Sequence, residues 1–234
     1  MELRGIVLAA ALAVASVGAN ATAVLVNGGF ESGLTGWTVS GGGSGSCNTN
    51  FNVSTSGSAA NCDGYSPIPA TFVAPASGTH AAYASFDGDG PIHHTLTQAF
   101  SIAAGTSVLD INWQDALGFG SGWIFPQPRV YTVSLLKADG TLEATLLSES
   151  FTNVPAGIFQ DWTTHDINAS IYLNDLGSGG KLQFDLYAPQ SFTGPGAFAL
   201  DNVAVTTSVP EPASLALAGL ALAGLAVTLR AKRR

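Results

Sequence analysis

Between Val24 and Ser208 the apolar residues of this chain come in short runs, many of period two, rich in β-branched and aromatic side chains. The candidate strands are Val24–Val26, Gly36–Ser40, Thr71–Ala74, Ala81–Phe86, Thr95–Ile102, Val108–Asp115, Val130–Lys137, Leu142–Phe151, Trp162–Asp166, Lys181–Tyr187 and Phe198–Thr206. Turn residues separate them. Asp139-Gly140-Thr141 is placed to close a hairpin, and Ala104-Gly105-Thr106 and Gly177–Gly180 break other runs. Ile167–Leu176 is the one segment suited to a short helix or turn. There is no heptad and no internal repeat. Strands at this spacing predict an all-β domain, a two-sheet sandwich of jelly-roll type.

Both ends of the chain have a different character. Residues 1–23 carry Arg4, then an apolar stretch from Gly5 to Val17, then small residues at Ala19-Asn20-Ala21 and Ala21-Thr22-Ala23. This is the pattern of a secretory signal peptide, with cleavage expected after Ala23 and Ala21 as the second choice. At the other end Val209-Pro210-Glu211-Pro212 leads into Ala213–Leu229, an uncharged run dominated by Ala, Leu and Gly. As a helix that run spans roughly 26 Å, the short end of what crosses a hydrocarbon core. Pro210 and Pro212 set its start, and residues 230–234 close it with Arg230, Lys232, Arg233 and Arg234. The positive-inside bias places that basic end in the cytoplasm and residues before Val209 outside. The expected organisation is a signal peptide (1–23), one domain (24–208) and a membrane-directed tail (209–234).

Removing both ends changes the charge. The domain keeps three basic residues, Arg129, Lys137 and Lys181, against fourteen acidic ones, a net of −11. Such a surface repels nucleic acid and anionic lipid; it suits neutral sugars or divalent cations, and it also keeps an apolar-rich exported domain soluble. The two cysteines, Cys47 and Cys62, sit in a Gly/Ser/Asn-rich stretch from Gly41 to Gly64 and lack metal-ligand spacing. In an exported chain they predict one disulfide, worth roughly 3 kcal/mol in the chain-entropy model.

Two resemblances follow from these residues. Val209-Pro210-Glu211-Pro212, the short apolar helix and the Arg/Lys end resemble the PEP-CTERM sorting signal. The resemblance implies processing by an exosortase in a Gram-negative bacterium that makes extracellular polysaccharide. It also implies transient anchoring, loss of the tail and delivery to the cell surface or matrix. Within the domain, Val26-Asn27-Gly28-Gly29-Phe30-Glu31 with Gly36-Trp37, the run Thr95–Phe100, and Leu200-Asp201-Asn202-Val203-Ala204-Val205 resemble the carbohydrate-binding-module-like jelly rolls, the galactose-binding-like fold. That resemblance implies first and last strands side by side, often with a structural calcium at their junction. Glu31 and Asp201 match the carboxylate positions, and Asn27 or Asn202 could add oxygen. A plain turn at Asn27-Gly28-Gly29 is the alternative. Asp87-Gly88-Asp89-Gly90 lacks the downstream Glu of an EF-hand loop and reads as an acidic turn.

A sugar site needs exposed aromatic platforms beside hydrogen-bonding groups. Trp123, in the Gly/Pro-rich loop Gly118–Pro128, is the first candidate, with Trp113 and Tyr131 next and Gln114, Asp115 and Arg129 nearby in sequence. Trp37 and Trp162 are expected to pack within the sandwich. Catalysis finds little footing. His93 and His94 are adjacent and so point to opposite faces of a strand, while His80 and His165 have no HExxH or HxH partner. No G-x-S-x-G elbow is present. The sequence therefore predicts a non-enzymatic surface or matrix protein associating with exopolysaccharide. A purely structural component and a secreted hydrolase are the alternatives.

Overall fold

The computed structural model describes residues 21–42, 49–55, 73–86, 90–119, 128–152, 161–190 and 196–210. Eleven strands are described: β1 (Ala21–Ala23), β2 (Thr38–Gly41), β3 (Thr49–Ser54), β4 (Ala81–Phe86), β5 (Ile92–Ser101), β6 (Val108–Phe119), β7 (Arg129–Lys137), β8 (Leu142–Phe151), β9 (Thr163–Asn168), β10 (Gly179–Ala188) and β11 (Gly196–Ser208). Between β9 and β10 lie a 3-10 turn, Ser170–Tyr172, and one helical turn, Leu173–Leu176, where the sequence allows a short helix.

The strands form an all-β, two-sheet sandwich. One sheet runs β3-β4-β11-β6-β9, with β1 added on β11; the other runs β2-β5-β10-β7-β8. All described pairings are antiparallel. Period-two burial explains why these sequences become strands. In β5, Ile92, His94, Leu96, Gln98 and Phe100 face inward while the residues between them face out. In β10, Leu182, Phe184 and Leu186 do the same. The two inner faces meet over Leu96, Phe184, Trp113, Val133, Leu135 and Phe198. Each such side chain contributes about 1.5–3 kcal/mol by leaving water.

Some expectations shift. The strand expected at Val24–Val26 lies at Ala21–Ala23, because residues 24–36 turn back to build a loop around Phe30, which is fully buried. β3 was not expected: its polar, Asn-containing sequence disguises a strand on the edge of a sheet, where one side needs no apolar partner. Val73 and Ala74 are not in a strand. The hairpin at Asp139-Gly140-Thr141 forms, with Gly140 at φ +94° and the Thr141 amide donating to Asp139 Oδ1 at 2.8 Å. Cys47, Cys62, Trp123, Asp87 and Asp89, most of the signal-peptide segment and the tail beyond Pro210 lie outside the described residues. Among the described residues no helix is long and apolar enough to cross a membrane.

The sheet faces away from the core differ from each other. Ala81, Tyr83, Ala116 and Ala199 on the six-stranded sheet form a second apolar cluster, covered by Val73 and Trp162. Trp162 thus packs on the outside of the sandwich rather than within it, and its indole donates to the Ala74 carbonyl at 2.9 Å. The five-stranded sheet turns a polar face outward.

Candidate functional site

Three constellations of chemically capable side chains stand out. The first is the junction of the N-terminal loop with β11. A bulge interrupts the pairing of β11 with β6 between Asp201 and Ala204, and Asn202 takes a positive φ of +52°, which Asn tolerates. The bulge aims the fully buried Asp201 carboxylate at residues 76–77: Oδ2 accepts from the Ser77 amide at 3.0 Å, and Oδ1 from the Asn202 amide at 2.7 Å. Glu31 reaches the same segment. It accepts from the Thr79 amide (2.8 Å), the Thr79 hydroxyl (2.7 Å) and the His80 amide (3.0 Å), with His80 Nδ1 at 3.1 Å. These bonds, led by the Thr79 hydroxyl, hold its carboxyl down to about 2. Burial pushes the Asp201 carboxyl up, and the charge of Glu31 adds to that.

The structure therefore brings the expected calcium carboxylates, Glu31 and Asp201, to one place, with the hydroxyls of Ser77 and Thr79 beside them. Two mutually repelling carboxylates among oxygen donors have the chemistry calcium takes. Asn27 does not fit that role. Its side-chain oxygen accepts from the Ser32 amide, and its amide nitrogen faces the carbonyls of Gly33 and Thr35. Asn27 shapes the turn instead. The Ser77 hydroxyl donates to the Asn202 side-chain oxygen at 2.6 Å.

The second constellation holds two of the sequence-predicted sugar platforms, and here the expectation is corrected. Trp113 is 1% exposed and Tyr131 is 0% exposed. Both point into the sandwich because β6 and β7 alternate that way, so neither ring offers a face to a ligand. Trp113 donates through Nε1 to Asp115 Oδ2 at 2.8 Å and stacks on His165 across the β6–β9 pair (centroids 4.6 Å apart). His165 Nε2 lies 3.0 Å from the same carboxylate oxygen, off line for a hydrogen bond. Burial raises the Asp115 carboxyl, opposed by His165 and by the Trp113 bond. The buried Tyr131 hydroxyl also pulls the Asp115 carboxyl down. This is a polar anchor inside the core. Gln114 and Arg129, singled out beside these residues, are also placed: Gln114 bonds Thr164 and Asn202, and Arg129 is buried at the start of β7.

The third constellation is the outward face of β2, β5, β10 and β7. Register puts His93 opposite Tyr187, Thr95 opposite Asp185 and Thr97 opposite Gln183, with Thr132 and Ser134 following on β7 and Ser40 on β2. His93 Nδ1 lies 2.8 Å from Asp185 Oδ2, and its ring stacks on Tyr187 at 4.1 Å with the planes 13° apart. The His93 side chain is 51% exposed. On its other side the backbone at the end of β2 passes close to it: the Gly42 amide donates to the His93 carbonyl at 2.8 Å. Gln183 donates to the Thr97 hydroxyl at 3.2 Å, and Ser40 and Thr95 share a hydroxyl–hydroxyl bond. Burial raises the Asp185 carboxyl against the pull of His93. The result is a neutral-to-acidic field of hydroxyls, one amide, one carboxylate and a pair of rings. No ligand-binding expectation fell on this face, although period two in His93–Thr97 and Lys181–Tyr187 puts these residues on one side of each strand.

Comparison with known proteins speaks first to the tail. The PEP-CTERM protein-sorting motif matches over residues 208–234. This chain carries a PEP-CTERM sorting motif. It begins at Ser208, the last residue of β11, so the sorting motif follows the sandwich without an intervening linker. No curated protein matches the chain. Solved structures similar to it include the carbohydrate-binding module TmCBM61, in complex with β-1,4-galactotriose (16% identity, 79% of this chain, 97% of that one, TM-score 0.45). Another is the K3 adhesin domain of Lys-gingipain from Porphyromonas gingivalis (16%, 78% and 98%, TM-score 0.46). A third is the Stig cyclase Fisc from Fischerella sp. TAU (18%, 82% and 100%, TM-score 0.46). These likenesses span binding and catalytic proteins, and at such scores they carry no functional argument.

Proposed function

We propose that the chain is an exported, exosortase-processed surface or matrix protein whose sandwich associates with neutral exopolysaccharide through the outward face of the five-stranded sheet. The sorting motif supports the route. The observation that carries the binding is the His93–Tyr187 ring pair beside Asp185 and a field of Thr, Ser and Gln side chains. Rings cover the apolar faces of sugars, and hydroxyls, amide and carboxylate exchange hydrogen bonds with sugar hydroxyls. The other sheet's outward face has no such freedom, because Val73 and Trp162 cover part of it. In this reading the domain is a jelly roll, Cys47–Cys62 is its disulfide, residues 1–23 include its export signal, and Ala213–Leu229 anchors it until exosortase acts.

The test is retention of the processed protein on an immobilised neutral exopolysaccharide. Tyr187→Ala is expected to weaken retention about tenfold, or roughly 1.4 kcal/mol, with the fold intact by circular dichroism. Asp185→Asn weakens it less. Unchanged retention in both variants, with loss in Trp123→Ala, would move the site to the loop containing Trp123. No retention of the unaltered protein would favour the structural-component reading, which the burial of Trp113 and Tyr131 supports. The domain is read as non-catalytic: Asp115 is sealed between Trp113, Tyr131 and His165 and packs a core rather than opening on a substrate.

A further inference from the structure

The two ends of the sandwich are hydrogen-bonded to each other. In register, Ala21 faces Ser208, Thr22 faces Thr207 and Ala23 faces Thr206. The ladder continues past β1, since the Val24 amide donates to the Val205 carbonyl at 2.8 Å and the Val203 amide to the Gly28 carbonyl at 3.0 Å. On that side of β11, β4 pairs only with Gly196–Leu200. From Val203 to Ser208 the covering partner is the N-terminal segment, while β6 holds the opposite side as far as Val108↔Ser208. The residues just before the sorting motif thus pair with the first described residues of the chain.

That dependence bears on where the leader is cut. Small residues at alternate positions mark two sites, Ala19-Asn20-Ala21 and Ala21-Thr22-Ala23. A cut after Ala23 deletes β1, leaves the Thr206–Ser208 edge unpaired and turns the Val24 amide, a ladder donor, into the chain's ammonium group. An open edge next to a membrane tether is a template for pairing with another chain. A cut after Ala21 keeps Thr22 and Ala23 and with them two of the three β1 pairs. We infer that the leader is removed after Ala21, so that the exported protein begins at Thr22. The inference rests on the export reading above. The step is hydrolysis of the Ala21–Thr22 peptide bond, with water supplying the new carboxylate and ammonium groups.

N-terminal sequencing of the full chain, expressed in an exporting Gram-negative host, tests this. Thr-Ala-Val as the first residues is the expected result. A start at Val24, or any start other than Thr22, overturns the inference and leaves export standing; retention of Met1 overturns the export reading itself. Ala19→Leu spoils only the upstream site and is expected to shift the start to Val24, giving a product that melts at a lower temperature than the Thr22 form. Equal melting of the two forms would remove the physical ground for the inference.

Discussion

His94 is the residue whose environment departs furthest from what its chemistry prefers. It is fully buried, and neither ring nitrogen has a hydrogen-bond partner among the described residues. Burial, with a smaller push from the charge of His93, lowers its pKa to about 4. The folded pKa is thus depressed below that of the unfolded chain, which takes up a proton first as pH falls. Stability from keeping His94 neutral is complete above about pH 6.5 and is lost progressively toward pH 4, by about 3 kcal/mol in all. Asp115, Asp185 and Asp201 have raised carboxyls and work in the opposite sense on acidification. Glu31 acts lower still: its contribution is present above about 4.5 and lost as pH falls through about 2. Comparing urea denaturation of the protein with that of His94→Phe isolates the histidine. The variant should lack the extra loss between pH 6.5 and pH 4, and parallel pH profiles would contradict the assignment. The opposite orientations of His93 and His94 were legible in the sequence from period two alone. The burial of Trp113 was not: Ile111, Trp113 and Asp115 share a face, and an inward carboxylate makes sense only once the Trp113 indole and His165 are seen to meet it.

At the scale of elements, the N-terminal loop and β11 depend on a close backbone approach. A Cβ on Gly28 would lie 1.7 Å from the Val203 carbonyl oxygen, where no side chain fits. Gly28→Ala is expected to cost more than about 2 kcal/mol, measured by thermal or urea denaturation, whereas Gly33→Ala meets nothing within 4 Å and suffers only from its positive φ. The calcium expectation is tested at the same junction. With Glu31 and Asp201 as the carboxylates that would hold it, added calcium should raise the melting temperature and EDTA should reverse the rise. Asp201→Asn should abolish the response, Asn27→Ala should retain it, and an unaltered protein indifferent to calcium would exclude the site. That Glu31 and Asp201 meet at one segment was expected from the resemblance to the jelly rolls, not from local pattern, which cannot bring together residues so far apart in sequence. Local pattern missed β3, where pairing with β4 outweighs a weak propensity, and it placed the first strand three residues late because the Phe30 loop consumes Val24–Val26.

For the molecule as a whole, the strands from β4 onward were readable because alternation and turns recur along the chain, whereas their order in the sheets depends on crossovers that leave no local trace. The candidate binding face shows the same limit. His93 and Thr95 are far from Asp185 and Tyr187 in sequence (92 residues from His93 to Asp185), and the pairing of β5 with β10 unites them. Four histidines sample the molecule at separate points: His80 at the junction, His93 on the open face, His94 behind it in the core and His165 against Trp113. Their imidazole NMR signals during titration with soluble fragments of a neutral exopolysaccharide test the binding claim most directly. The expected result is a saturable shift of the His93 ring signals, with those of His94, His80 and His165 nearly unchanged. Saturable shifts at another histidine with none at His93, or no shift at all, would contradict it.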